Sequence, residues 1–224
     1  MLRATISADI VSSTSLSVFD LTHLQSVIRQ FLDELSVKSQ DEDWGRLFKG
    51  DSVEIFLKDP HKALRTALLL KALVKKTFIE NNIEAKQSLF KKYGIRMAIG
   101  IGEMRIADKA RDVLDGEAIY YSGRALEKNA KEGLSGKRSM CFACKAPLLS
   151  EQMNVMLGLL DMLFKEATSK QCEVVYFKLL GMNELEIAEK LGVVQSVVNQ
   201  HSNAIGWNAI ESTVNYFEKL NFEQ

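Results

Sequence analysis

The hydrophobic period of this 224-residue chain changes character once, at Pro147. Before it, stretches that alternate with period 2 take turns with stretches of period 3.6; after it, only the helical period remains. Such a chain has to build a helix-covered sheet first and an all-helical part second, the pattern of an α+β fold followed by helices. Charge shifts at the same place. Residues 1–150 carry 24 Lys and Arg against 19 Asp and Glu, and residues 151–224 carry 5 against 10, although the whole chain has 29 of each sign. A composition break of this kind marks a domain boundary. The expected division is a first domain over 1–146, a connecting helix over 147–168 and a helical domain over 169–224.

Zero net charge speaks against a strongly basic nucleic-acid binder and, with 46% hydrophobic residues, against a disordered chain. The N-terminus enters a strand pattern at once, so no signal peptide is expected. No apolar run approaches the ~18–20 residues that span a bilayer. The expected location is the cytoplasm, with no membrane partner. Of the three cysteines, Cys141 and Cys144 form a C-x-x-C with no second pair at zinc spacing. Strand positions i and i+3 face opposite sides, so two separate thiols are expected there rather than a metal or redox site.

In the first part, Leu2, Ala4, Ile6, Ala8 and Ile10 share one strand face and Thr5, Ser7 and Asp9 the other. A Ser/Thr-rich turn leads into a helix with Leu21, Leu24, Val27, Ile28, Phe31, Leu32 and Leu35 on one side. Residues 44–58 read as a hairpin, with Gly50 first in a two-residue turn and Asp51 at the tip. Asp59 caps a helix that has Pro60 in its first position and is expected to run to about Asn82. A glycine-punctuated strand is expected over 93–103, a loop of mixed charge over 104–115, a helix over 117–131 and a last strand over 139–145. The order β-α-β-β-α-β-α-β on one sheet implies an α+β, ferredoxin-like core.

Asp9 and Asp51 each follow a strand-like run and sit at a turn. Two such carboxylates from separate segments are suited to hold a divalent cation over the phosphates of a nucleotide. An aspartate in this setting otherwise serves as a turn former or helix cap.

Four segments carry a family likeness. Asp9-Ile10-Val11-Ser12-Ser13-Thr14, Gly50-Asp51, the strand Gly94 to Glu103 and the helix Gly116 to Leu126 resemble, in this order, the motifs of the class III nucleotide cyclase domain. The likeness covers roughly residues 2–145. It implies that Asp9, Asp51 and the Ile10 carbonyl coordinate Mg²⁺ or Mn²⁺ together with a nucleotide. It implies phosphate contacts from the backbone N–H groups of Ser12, Ser13 and Thr14, with Arg46 and Lys49 as further nucleotide-binding candidates. Arg124 matches the family's transition-state arginine, which would serve the site of the partner subunit in a head-to-tail homodimer. Other family positions differ here. Tyr120 stands in place of the ribose-orienting asparagine, Leu47 in place of a base-selecting lysine and Val113 in place of a purine reader. Keeping the metal groups while losing these readers points to nucleotide or metal sensing rather than turnover.

Residues 168 to about 208 resemble the helix-turn-helix of sigma factor region 4 and related bacterial regulators, on the stretch Ser169 to Val198. Gly181 ends one helix, Asn183 and Glu186 form a capping box, and Ala188 is small where two helices cross. Gly192 permits the turn, and Val193 and Val198 pin the second helix to the first. That second helix would expose Gln195, Ser196, Asn199, Gln200, His201 and Asn203, whose amides suit adenine edges in a major groove. The acidic charge of the region opposes DNA binding, and gripping a partner protein is the other use of the same helix pair. The helix over 150–167 has an apolar stripe, Met153, Met156, Leu157, Leu160, Leu163, Phe164 and Ala167, for the core, for neighbouring helices or for a second subunit. Together these features imply a bacterial transcriptional regulator with a cyclase-like sensing or dimerisation domain and a DNA-binding output. An active metal-dependent cyclase and a protein-interaction adaptor are the alternatives.

Overall fold

The computed structural model describes residues 1–77, 79, 85–131 and 138–223, without the side chains of 85–87. Strand β1 (Leu2–Ile10) lies antiparallel between β3 (Ser52–Leu57) and β4 (Ile95–Asp108), and β2 (Trp44–Phe48) pairs with β3 on the outside. The C-terminal part of β4 pairs with β5 (Val113–Gly116), and its N-terminal part runs parallel to β6 (Met140–Cys144). The molecule is a mixed α+β structure.

The register explains the two faces. Ile6 stands opposite both Ile55 and Ile99. Period-2 alternation therefore gathers Ala4, Ala8, Val53, Leu57, Met97 and Ile101 on the same side, all buried. Helices α1 (Val18–Lys38) and α2 (Ala63–Lys76) share this core through Leu24, Ile28, Leu64 and Leu68. Ser17 caps α1 by accepting the Asp20 N–H at 3.0 Å.

Helix α4 (Glu117–Lys131) lies against the other face. The hydroxyls of Thr5 and Ser7 both bond Ser122 Oγ, at 2.9 and 2.8 Å. Gly100 and Gly102 make this approach possible. A Cβ on Gly100 would stand 2.2 Å from the Ala118 carbonyl oxygen and 2.5 Å from the Ser122 nitrogen. The glycines that punctuate β4 are thus the floor on which α4 rests.

The helical part follows as α5 (Pro147–Glu166), α6 (Ser169–Leu179), α7 (Glu184–Leu191), α8 (Gln195–Ala204) and α9 (Trp207–Phe217). Capping boxes open α6 (Thr168 with Gln171) and α7 (Asn183 with Glu186), and left-handed Gly192 (φ 65°) closes α7. The buried core runs without a break from Ala4 to Phe217. Helix α2 is buried nearly all round because it serves the sheet on one side and α6 and α9 on the other. Arg65 on α2 grips the Glu218 carboxylate at 2.6 and 3.2 Å and the Leu179 carbonyl at 3.1 Å.

A buried ionic cluster joins the same elements. Lys71 Nζ, on a side chain 1% exposed, lies 3.4 Å from Asp161 Oδ1 and donates to the Tyr93 carbonyl at 3.2 Å and to Ser139 Oγ. Asp161 accepts from both the N–H and the hydroxyl of Ser139. Lys75 donates to the Lys92 carbonyl at 2.9 Å and to the Phe164 carbonyl. Burial pushes the Lys75 ammonium down to about 8 and the nearby Cys172 thiol up to about 11. Between pH 8 and 10.5 the unfolded chain keeps a Lys75 proton that the folded chain has released, so stability rises with pH. From pH 9 to 11 the folded chain keeps a Cys172 proton that the unfolded chain has lost, so stability falls. The expected melting curve therefore climbs between pH 8 and 9, by about 2–4 °C for ~1 kcal/mol, with the lowered Lys71 and Lys76 ammoniums adding to the climb, and climbs less steeply above 9. In Cys172→Ala the climb continues toward 10.5. Calorimetry across this range checks both slopes, and a fall between pH 8 and 9 contradicts them.

Four features differ from the sequence-based expectation. Helix α2 stops at Lys76, where Thr77 turns extended and its hydroxyl takes the Leu73 carbonyl; Phe78 and residues 80–84 lie outside the described residues. A short helix α3 (Ala85–Tyr93) precedes β4 and is closed by left-handed Gly94, so the strand begins at Ile95. Residues 104–115 form a β4–β5 arm rather than a loop. Its side chains are mostly exposed, so ladder hydrogen bonds and not burial sustain it, and no apolar alternation marks it. Lys109 ties the tip of this arm to Asp41 at 2.6 Å and Ser36 at 2.7 Å. The β2–β3 loop has three residues, with Lys49 and Gly50 both left-handed (φ 51° and 83°), so the glycine is second and not first.

Candidate functional site

The pairing of β1 with β3 sets Asp9 beside Ser52, at the mouth of the β2–β3 hairpin. This register brings the two aspartates together. Ser52 Oγ lies 3.1 Å from Asp9 Oδ1 and 3.4 Å from Asp51 Oδ1, and Ser13 Oγ donates to Asp51 Oδ2 at 2.7 Å. Backbone bonds fix the arrangement. The Ile10 N–H donates to the Asp51 carbonyl at 2.9 Å, the Val11 N–H to the Gly94 carbonyl at 3.0 Å, and Gln25 on α1 holds the Gly50 carbonyl at 2.7 Å. Asp9, Ile10, Ser13 and Asp51 thus meet at one sheet end. Ser12 is left-handed (φ 54°) and starts the 3₁₀ turn Ser13–Ser15, with exposed Thr14 inside it.

Arg96 completes the site. Strand β4 places it opposite Asp9, and its Nη2 lies 3.5 Å from Asp9 Oδ2, with the Asp9 side chain 30% exposed. The Arg96 Nε is buried and has no hydrogen-bond partner. Neither Arg96 nor Ser52 was singled out from the sequence. Both carried a signal: Ser52 follows Asp51 into a strand, and Arg96 shares the Asp9 face of an otherwise apolar inner strand.

Among the described residues the remaining cyclase-like positions make no hydrogen bond or ion pair with either aspartate. Arg46 donates to Glu54 through Nε at 2.9 Å and Nη2 at 2.5 Å, and pairs with Asp112 Oδ1 at 2.9 Å. Its guanidinium is therefore held between two carboxylates. Lys49 is exposed, with its ammonium 5.9 Å from the Phe48 ring centre. Arg124, exposed on α4 over the Tyr120 ring, lines a different cleft of roughly 710 Å³ together with Lys128, Arg138 and Asn154.

The donor set decides what kind of cation fits. Among the described residues, no three His, Cys, Asp or Glu side chains gather as a metal cage. Two carboxylates are too few for an all-protein calcium site, whereas Mg²⁺ is commonly held by one or two carboxylates with phosphate oxygens and water. The residues present fit a cation that arrives with a phosphate.

In the helical part, Gln195, Ser196, Asn199, Gln200 and Asn203 all lie exposed on α8, while Val198 and Ser202 face inward. Val193 is 40% exposed and lies outside the buried core, whereas Val198 and Ile205 belong to it. Asn203 donates to Asn199 at 2.9 Å, and Asn199 reaches Glu184 at 3.4 Å. The hydrogen bond from Lys178 holds the Glu184 carboxyl below its ordinary range, so a negative charge sits beside the amide face.

Comparison with protein-family models, curated proteins and solved structures finds no match to this chain. Among the described residues no helix is long and apolar enough to cross a membrane.

Proposed function

We propose that this chain is a transcriptional regulator whose sheet senses a metal-bound nucleotide and whose helices α7 and α8 address DNA. The observation that carries the reading is the convergence of Asp9 and Asp51 on the Ser52 hydroxyl. In this reading Asp9 and Asp51 hold Mg²⁺ or Mn²⁺, and Ser13 and Ser52 orient their carboxylates. Arg96 offers a guanidinium to the phosphates. The cation supplies charge for the phosphate oxygens. The strand order β4-β1-β3-β2, with α1 and α2 as crossings, supports a ferredoxin-like core. The open amide face of α8 supports a helix-turn-helix output. Sensing suits the site better than turnover, because Arg46 is already held by Glu54 and Asp112 and Tyr120 stands where the ribose-orienting asparagine would. The acidic balance of residues 151–224, 10 Asp and Glu against 5 Lys and Arg, favours one second reading, in which the same helix pair grips a basic protein segment.

Thermal unfolding with Mn²⁺ and each nucleoside triphosphate tests the sensing part. A nucleotide that binds raises the melting temperature by about 5 °C or more at a hundredfold excess over its Kd. Mn²⁺ alone gives little, and Asp51→Asn abolishes the response. Cyclic product in the same incubation would instead establish catalysis. No response to any metal–nucleotide pair overturns the sensing reading. Low-salt binding to labelled duplex, lost in Asn199→Ala with Gln200→Ala, tests the output, and binding to protein but not to DNA favours the second reading.

A further inference from the structure

Helix α5 is apolar on two sides, and the chain uses one of them. Met153, Leu157, Leu160 and Phe164 are buried, whereas Leu148, Val155, Leu159 and Met162 are 68%, 55%, 62% and 65% exposed. With Gln152 and Glu166, the exposed face holds positions 148, 152, 155, 159, 162 and 166, an alternation of four and three, with exposed Pro147 and Glu151 beside it. That is the spacing of a coiled-coil seam, with d at 148, 155 and 162 and a at 152, 159 and 166. Four large apolar side chains in one stripe are more than scattered surface exposure.

The geometry points to a second copy of this chain as the occupant, with the two α5 helices packed antiparallel about a two-fold axis. An antiparallel seam sets each a position against a d position. Val155 then meets Leu159 of the partner subunit, Gln152 meets Met162 of the partner subunit, and Leu148 lies on the stem of Glu166 of the partner subunit. The charges fall into the same register. The g positions are Glu151, Gly158 and Lys165, and an antiparallel pair brings g against g. Glu151 faces Lys165 of the partner subunit and the symmetry repeats the pair, while Gly158 lies near the axis beneath the Arg138 side chain of its own chain, whose Nε would stand 3.3 Å from a Cβ there. Among the described residues neither Glu151 nor Lys165 has an ion-pair partner in its own chain. A parallel pair would set Glu151 against Met156 and leave both charges unmatched. Self-complementarity of this kind is what a two-fold interface requires. Glu151 and Val155 also line the cleft that holds Arg124 and Lys128, so the second copy borders that cleft. No residue of this seam bonds Asp9 or Asp51 among the described residues, and its test leaves the sensing reading untouched.

Light scattering and sedimentation of the full chain test the seam. The expected wild-type particle has twice the 25.2 kDa chain mass. Leu159→Glu, at an exposed position that folding tolerates, weakens association by about a hundredfold, since the anchor is lost twice per dimer. Glu151→Lys, which faces a lysine with a lysine, also weakens it, and Glu151→Lys with Lys165→Glu restores it. The far-ultraviolet circular dichroism of all three variants stays that of the wild type. A wild-type monomer at every concentration, a dimer indifferent to Leu159→Glu, or a double charge reversal that fails to restore association overturns the proposal.

Discussion

Gly100→Ala is expected to destabilise the chain by about 3–5 kcal/mol, the range of severe core strain. The added methyl would meet the Ala118 carbonyl oxygen at 2.2 Å and the Ser122 nitrogen at 2.5 Å. Both obstacles are backbone atoms of α4, so no side chain can swing away. Helix α4 has to lift from the sheet, and the Thr5 and Ser7 hydroxyls then lose Ser122. Two buried hydroxyls without partners add to the steric cost. Gly123→Ala is the control. It lies on the same helix with nothing within 4 Å of an added Cβ, so the alanine gains helix propensity and stabilises by about 0.5–1 kcal/mol. Urea unfolding of the two variants decides the matter. A Gly100→Ala chain within about 1 kcal/mol of the wild type would show that α4 does not depend on this floor.

The second large effect is expected at the Lys71–Asp161 cluster. Asp161→Leu leaves a buried ammonium without its counter-charge and strips the Ser139 N–H and hydroxyl of their acceptor. Breaking one side of such a pair costs about 3–5 kcal/mol. Lys71→Met alone is expected to cost a similar amount, because it leaves the carboxylate buried. Changing both at once should recover most of the loss, to within about 1–2 kcal/mol of the wild type, the remainder being the unpartnered Ser139 N–H. Burial already pulls the Lys71 ammonium below its ordinary range. In Asp161→Leu that pull is unopposed, and Lys71 folds neutral. Stability of this variant then rises with pH up to the unfolded lysine value, more steeply than in the wild type. Denaturant titrations at two pH values close the cycle. Simple additivity of the two single changes would refute the coupling.

The contrast between these two sites reflects what a sequence can reveal. Gly94, Gly100 and Gly102 were visible as punctuation of a strand, but the helix that fills the space above them was not. The register could be read further than the packing. Alternation in 2–10 and 52–57 already placed Asp9 on the polar face and Asp51 at a hairpin tip, which is why their meeting was legible. The capping box at Asn183 and the left-handed Gly192 were legible for the same reason: they are local chemistry with local causes. The pairing of Arg46 with Asp112 was not, because it joins residues 66 positions apart across an arm with no apolar pattern. Helix α3 has few apolar positions, so no helical stripe marks residues 85–93 in the sequence. The sequence of α2 predicts an amphipathic helix with one buried face. Its second buried side answers to α6 and α9, and no period within α2 announces which helices will come to cover it.

That second side of α2 also bears on how the protein is made. Its flank is marked by Arg65, which reaches Glu218 and Leu179, and by Lys76, whose ammonium lies 4.9 Å from the Tyr176 ring centre. When the ribosome has delivered the sheet and α2, the residues that will cover this flank have not yet been synthesised. The nascent first half therefore waits with a greasy strip turned to water until Tyr176, Phe177 and finally Phe217 emerge, and in that interval it is open to aggregation and to chaperone capture.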